Sequence, residues 1–248
     1  MTFFLRPYRI AALVAWSALL AVLSIPYQVK GGWSGIRGLN RLAHLWNKGV
    51  AKILNLRVTI SGEMPRVPGG VVVSNHVSYL DIVTHGSILP VRYSPKADIA
   101  KWPVLGWYIG LSRPIWTDRE SKQASIKTSK EFAQTVQKGM YLIVYPEGTS
   151  TDGKSGILPF KSTSFEAAID ADAPVIPVLI RYTAGRNEPE IPWYGDMTFL
   201  PHAWKLLGSP SLEARVRFLR PIVPAGRSRK ELASFVHDVM AREYENLP

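Results

Sequence analysis

The sequence predicts an α/β fold, a mixed, mostly parallel sheet flanked by helices, carried behind an N-terminal two-helix membrane-anchoring leader. Three observations predict it. After Leu56, short apolar runs alternate with helix-like segments, the pattern of helices layered on a sheet. Before Arg57, two long segments combine apolar and basic residues without one acid, the first acidic residue being Glu63. The chain of 248 residues is long enough to bury a large core as one domain with an appendage. It divides into residues 1–56, the anchoring helices, and 57–248, the globular domain.

Residues 10–25 of the leader are almost wholly apolar, and Pro26 then interrupts the run. The stretch is slightly short of the ~20 residues that span a bilayer. Arg6 and Arg9 precede it as they would in a signal peptide, but no small-residue cleavage site follows. A second segment, 33–56, repeats Ile36, Leu39, Leu42, Leu45, Trp46, Val50, Ile53 and Leu54 at helical spacing, with Arg37, Arg41, Lys48 and Lys52 between them. Gly31 and Gly32 allow a tight reversal between the two. Basic residues favour the cytoplasmic side, and both flanks of the apolar run are basic. A helix that enters one leaflet and returns as a second helix satisfies both flanks; a single membrane span is the alternative. Net charge is +11, which suits an anionic membrane surface. Nucleic acid is the disfavoured partner: there is no zinc-finger spacing or RNA-binding signature, and the basic segment is too apolar for a solvated arm.

In the globular part, strands are expected at 57–60, 70–74, 91–94, 114–117, 141–145, 175–182 and 214–219. Helices are expected at 80–88, 121–138, 162–170 and 228–246. Residues 187–210, rich in Pro, Gly and aromatics, read as a long surface loop or lid. No repeat or low-complexity tract is present. The absence of cysteine removes thiol nucleophiles, disulfides and Cys-based zinc sites. The five histidines are scattered, without metal-ligand spacing, so no metal is expected.

Four stretches carry chemistry. In Asn75-His76-Val77-Ser78-Tyr79-Leu80-Asp81, a histidine sits where a strand hands over to a helix, the place where α/β sheets build sites. Five residues of regular helix turn through roughly 140°, so His76 and Asp81 meet only if His76 lies in the turn and Asp81 in the first helical turn. A carboxylate bonded to one imidazole nitrogen fixes the tautomer and leaves the other as a general base. The bland reading is a turn in which Asn75 and Ser78 cap the helix. In Pro114-Ile115-Trp116-Thr117-Asp118-Arg119, the arginine leaves a strand and offers a planar fork of donors for a phosphate, or else a surface ion pair. In Tyr145-Pro146-Glu147-Gly148-Thr149, Pro146 stops a strand, Gly148 permits an unusual turn, and Glu147 either braces a site or is solvated. The fourth, Val175-Ile176-Pro177-Val178, is a buried strand broken by a proline.

In order and spacing these stretches resemble the four motifs of the glycerolipid acyltransferase superfamily, whose type members are lysophosphatidic acid acyltransferases. The likeness covers 57–221, and the leader resembles the anchoring motif of bacterial members. It implies direct acyl transfer. His76 would deprotonate a lysolipid hydroxyl that attacks the thioester of acyl-CoA or acyl-acyl carrier protein, the co-substrate, with no separate cofactor, and Asp81 would hold His76. Arg119, with Lys96, would bind the phosphate of lysophosphatidic acid; Glu147, Gly148 and Thr149 would shape the acceptor site, with Lys161 nearby. The absence of a Cys nucleophile and of a G-x-S-x-G elbow agrees with transfer without an acyl-enzyme.

The sequence also departs from that pattern. Ser150 follows Thr149 where an arginine is frequent, and Pro159-Phe160-Lys161-Ser162-Thr163 has one basic residue where many relatives have two. Pro192-Trp193-Tyr194-Gly195-Asp196-Met197 resembles a subgroup that includes acylases of lyso-ornithine lipid, an acceptor without phosphate. The expected function is therefore acylation of 1-acylglycerol 3-phosphate to phosphatidic acid at the cytoplasmic face of the inner membrane, with membrane phospholipid, lysolipid and acyl donor as partners. O-acylation of lyso-ornithine lipid is the alternative within the class. Hydrolysis of lipid thioesters at the same site, or a non-enzymatic membrane-binding role, are the readings outside it.

Overall fold

The structure, a computed structural model, describes residues 2–118, 122–183 and 190–247. Two long helices open the chain, α1 (Thr2–Lys30) and α2 (Gly32–Leu54). Then follow β1 (Leu56–Gly62), β2 (Gly70–Ser74), α3 (Leu80–Ile88), β3 (Val91–Arg92), α4 (Leu105–Gly110), α5 (Lys122–Gln137) and β4 (Tyr141–Val144). The remainder is α6 (Glu166–Asp170), β5 (Val175–Thr183), α7 (Phe199–Leu207), β6 (Leu212–Phe218) and α8 (Arg229–Glu245).

The six strands form one sheet in the order β1-β6-β5-β2-β4-β3. β3, β4, β2 and β5 run parallel; β6 lies antiparallel to β5, and β1 parallel to β6. The mixed, mostly parallel sheet expected from the sequence is therefore present. β2, at its centre, is buried on both faces, so Val71 and Val73 pack with α5, α6 and α8 while Val72 faces the opposite layer. A one-residue slip would exchange these faces and move His76 with them, so burial fixes the register that places the turn.

The first helix is longer than the apolar run suggests. α1 continues through Pro26 to Lys30, and Gly31 (φ 61) reverses the chain directly into α2. A side chain at Gly38 would overlap the Tyr27 ring, and one at Gly49 the Trp16 indole, so these two glycines let the helices approach closely. Trp16 donates to Trp46 O (3.2 Å) and the Trp46 indole donates to Ser17 Oγ (3.0 Å). Both ends of α1 are tied to the rest of the chain. The buried Arg9 donates to Ile53 O (3.0 Å), Leu54 O (2.9 Å), Leu207 O (3.1 Å) and Ser209 O (2.6 Å). At the other end Gln28 donates to Leu111 O (2.5 Å) and accepts from Arg113 (3.0 Å). Residues 4–30 are long and apolar enough to cross a bilayer, with mean hydropathy 2.0, and most of that surface is exposed. α2 turns its inner face, Val50, Ala51 and Leu54, onto Leu80 and Val83 of α3.

Four expected elements need correction. Of the expected 187–210 loop, 187–189 lie outside the described residues, and 190–210 are not one long loop: Phe199–Leu207 is helical, buries His202 and Leu206, and tolerates Pro201 because a first-turn residue lacks an intrahelical N–H partner anyway. Residues 114–117 make no regular strand. Thr117 only bridges Lys96, while Ile115 N–H donates to Tyr93 O and Thr117 N–H to Pro95 O; Pro95 and Pro114 break the ladder. For the same reason β3 stops at Arg92, short of 94. The 162–170 helix begins as a 3-10 turn, Ser162–Phe165, and the 3-10 turn Ala97–Lys101 and α4 had no counterpart in the sequence reading.

Candidate active site

The site lies at the carboxyl ends of β2 and β4, where parallel strands leave backbone groups unpaired. β2 stops at Ser74, but its pairing continues through a side chain. Asn75 Nδ2 donates to Ile180 O (2.9 Å) and Asn75 Oδ1 accepts from Ile180 N (2.8 Å), as one more strand residue would. Asn75 is thus a splice onto β5, not a helix cap, which corrects the sequence reading. Ser78 Oγ makes only a 3.4 Å contact with Leu80 N–H; the turn ahead of α3 is held by Asp81, whose Oδ2 accepts from Val77 N (2.7 Å) and Ser78 N (3.0 Å).

The same Asp81 oxygen takes His76 Nδ1 at 2.7 Å. His76 lies in the turn and Asp81 in the first turn of α3, the placement that H-x4-D requires. An oxygen that accepts two backbone N–H groups is an acceptor for the third, so Nδ1 carries the imidazole proton and Nε2 keeps the lone pair. Asp81 is fully buried and the His76 side chain 22% exposed. The His76 ring stacks on Tyr145, 4.3 Å between centroids and 25° between planes.

Glu147 braces the turn from β4. Its Oε1 accepts His76 N–H (2.7 Å) and its Oε2 accepts Leu158 N–H (2.9 Å). Burial pushes its carboxyl above the usual range, opposed by these two N–H groups and by His76. Pro146 and Glu147 form the corner of a turn closed by Gly148 N–H to Tyr145 O (3.1 Å), with Gly148 at φ 79. The carbonyls of the His76 turn are taken as well: His76 O by Thr151 N–H and Val77 O by Trp193 N–H, each at 2.9 Å. Behind Asp81, the buried His85 contacts Asp81 O (2.8 Å), Ser74 Oγ (3.2 Å) and Tyr145 Oη (3.3 Å). Desolvation lowers the His85 pKa and raises that of Tyr145 well above its ordinary value.

The other candidates are looser. Thr149 is exposed, with one 3.5 Å contact to Ser150 O. The Lys161 side chain is exposed, but its N–H donates to Pro146 O (2.9 Å), which brings it beside the Glu147 turn. Lys96 is 60% exposed, 3.6 Å from Asp98, and bridges the backbone of Thr117. Arg119 lies outside the described residues. Among those residues no group of three or more His, Asp or Glu side chains gathers to hold a metal ion. Residues that the sequence reading passed over build the rim: Tyr79, in ring contact with Trp193 (5.7 Å), Phe199 (5.0 Å) and His202 (5.5 Å), and its hydroxyl on His202 Nδ1 (3.0 Å). The signal for Trp193 was its Pro192–Met197 segment; nothing local marked Tyr145 as the ring under His76.

The Acyltransferase family profile matches residues 55–181. The lyso-ornithine lipid O-acyltransferase of Brucella abortus is 31% identical, over 91% of this chain and 90% of its own length. The protein of the same name from Pseudomonas aeruginosa is 32% identical over 92% and 88%. The 1-acyl-sn-glycerol-3-phosphate acyltransferase of Neisseria meningitidis serogroup B is 30% identical over 88% and 84%. Among solved structures, the 1-acyl-sn-glycerophosphate (LPA) acyltransferase PlsC from Thermotoga maritima superposes with a TM-score of 0.70, covering 99% of this chain and 97% of that one. At 23% identity this is a likeness of fold.

Proposed function

We propose that this chain, which belongs to the Acyltransferase family, moves a fatty acyl group from a thioester to the free hydroxyl of a lysolipid. The observation that carries this is the His76–Asp81 pair. Its buried carboxylate holds Nδ1 at 2.7 Å and leaves Nε2 free of hydrogen bonds among the described residues. His76 Nε2 takes the proton of the acceptor hydroxyl as its oxygen attacks the thioester carbonyl carbon. The tetrahedral intermediate then collapses, the C–S bond breaks, and the thiolate receives that proton from the imidazolium. Asp81 stabilises the imidazolium, and Glu147 holds the turn through the His76 backbone. Acyl-CoA or acyl-acyl carrier protein supplies the thioester, and no other cofactor enters.

The acceptor in this proposal is 1-acylglycerol 3-phosphate, giving phosphatidic acid, with Lys96 and Arg119 for its phosphate. Lyso-ornithine lipid is the second reading. It is favoured by the names of the Brucella and Pseudomonas relatives and by the 192–197 segment, whose Trp193 bonds the His76 turn. α1 would lie in one leaflet at the cytoplasmic face of the inner membrane, supported by its ties from Arg9 to Leu207 and Ser209 and from Gln28 to Leu111, which hold both ends to the globular part.

The test is labelled acyl transfer by purified protein with both donors and both lysolipids. A preference of about 10-fold or more (about 1.4 kcal/mol) for the phosphate acceptor supports the first reading. Transfer to lyso-ornithine lipid alone would replace it and leave the reaction class intact. His76→Ala should lower the rate by roughly 10²–10⁴ with the fold retained; near wild-type turnover would sink the mechanism.

A further inference from the structure

Contiguous exposed apolar strips on soluble domains mark contact surfaces, and this molecule has one beyond α1. After the Ala97–Lys101 turn, Trp102 (39% exposed), Val104 (79%) and Trp107 (64%) stand out from the surface. On α7, Leu200 (76%) and Trp204 (52%) do the same at i, i+4 spacing, which puts them on one helix face. The groups adjoin, because the rings of Trp102 and Phe199 lie 6.0 Å apart. Both are continuous with the leader. Arg6 of α1 sits over the Trp204 ring (4.9 Å) and donates to Trp204 O (3.1 Å), and Tyr108, next to Trp107, packs on Trp46 of α2 (5.7 Å).

Val104 adds a second observation. Its backbone has φ 61 and ψ −55, and Leu105 N–H closes on Pro103 O at 2.6 Å. This γ-turn is the rare, strained kind, and a β-branched residue in it is an outlier. The strain projects an aliphatic side chain outward, where no core contact offsets it.

We propose that the 102–107 segment and the outer face of α7 form a second membrane-contact surface, inserted at headgroup depth in the leaflet that takes α1. The occupant is a lipid bilayer. Tryptophan favours that depth because its ring is apolar and its N–H polar. Lys101 (83% exposed) and the exposed Lys205 border the strip and suit anionic headgroups, with Asp98 offsetting Lys101 in part at 3.9 Å. α7 also carries Phe199 and His202, which touch Tyr79, three residues from His76. Seating α7 on the bilayer therefore brings the His76 turn to the headgroup layer, where a lysolipid reaches it without leaving the membrane. The surface rests on the membrane reading of α1 for its orientation; its quenching test is independent of the acyl-transfer reading, and its activity test rests on that reading.

The absence of native cysteine makes the test direct. Val104→Cys, Leu200→Cys, Val14→Cys on α1 and Val223→Cys are each labelled with an environment-sensitive fluorophore. Val223 adjoins Ile222, which pairs with Val175 at the far end of β5. The full chain is placed in nanodiscs of phosphatidylcholine and phosphatidylglycerol that carry acyl-chain nitroxides. Labels at 104 and 200 should be quenched like that at 14, and the label at 223 should not. If 104 and 200 behave like 223 while 14 is quenched, the surface does not exist. In activity, Val104→Asp with Leu200→Asp should lower transfer to a bilayer-embedded acceptor by about tenfold or more, and transfer to a dispersed short-chain acceptor by less than about twofold. Equal losses on both acceptors would overturn the proposal. So would a stable dimer with labels 104 and 200 shielded before lipid is added, which would assign the strip to a second copy.

Discussion

Replacing Asp81 with Asn tests the His76–Asp81 pair by removing its charge while keeping its shape. In the native turn one oxygen accepts His76 Nδ1, Val77 N and Ser78 N, at 2.7, 2.7 and 3.0 Å. An amide oxygen can accept the same three groups, so the turn should survive. The loss appears when His76 holds a proton. A hydrogen bond to a charged group contributes about 1.5–3 kcal/mol net and a neutral one about 0.5–1.5, so about 1 kcal/mol leaves the bond itself at mid-range. Two unit charges about 4 Å apart attract by about 4 kcal/mol at an effective dielectric constant of 20, which bounds the effect from above. A loss of about 1–4 kcal/mol lowers kcat by roughly 5- to 1000-fold. The acceptor KM should hardly move, because the positive charge that Asp81 stabilises develops on His76 only as the acceptor proton is transferred. Steady-state transfer of labelled acyl chains in detergent measures both constants, with near-ultraviolet circular dichroism to verify folding. A folded variant with kcat within about threefold of wild type would refute the role assigned to the carboxylate.

Asn75→Ala should destabilise the protein by about 2–5 kcal/mol in urea denaturation, since the buried N–H and C=O of Ile180 lose their partners at once; a loss under about 1 kcal/mol would mean the splice is not needed. His85 is buried neutral, its pKa depressed by desolvation below the ordinary 6.5. Its contribution is complete above that value and is lost as pH falls toward the folded pKa. Wild type should lose stability as pH falls through and below the ordinary 6.5, and His85→Gln should flatten this slope, Glu147 cancelling in the comparison; parallel slopes would contradict it. For topology, single cysteines at Phe4 and Ser61 should both react from the cytoplasmic side only, whereas labelling from opposite sides would establish a full span.

Much of the sheet was legible because its central strands are buried on both faces. β2 reads as an unbroken apolar run and β5 as one interrupted by Pro177, and no other element competes for Val71-Val72-Val73. The His76–Asp81 contact was legible too, since a five-residue spacing meets only across a strand-to-helix turn. What failed was local chemistry overruled by tertiary contact. Asn75 has the composition of a cap, yet its partner, Ile180, is 105 residues away. Pro201 suggested a loop, but Leu206 and His202 found a core to bury in. The 114–117 strand was predicted from β-branched and aromatic residues, while the prolines beside it prevented a ladder. Tyr145 stayed invisible because stacking depends on where two strand ends meet, not on either sequence alone.

The Arg9 clamp has a consequence for the order of synthesis. Two of its acceptors, Ile53 O and Leu54 O, follow within the leader, but Leu207 O and Ser209 O are made about 200 residues later. At about 5–20 residues per second, α1 waits on the order of 10–40 s on the ribosome before its guanidinium can be fully bonded. Until then Arg9 needs water or lipid phosphate. The clamp therefore closes only after α7 has been made, and it couples folding of the second half of the chain to the final seating of the first helix.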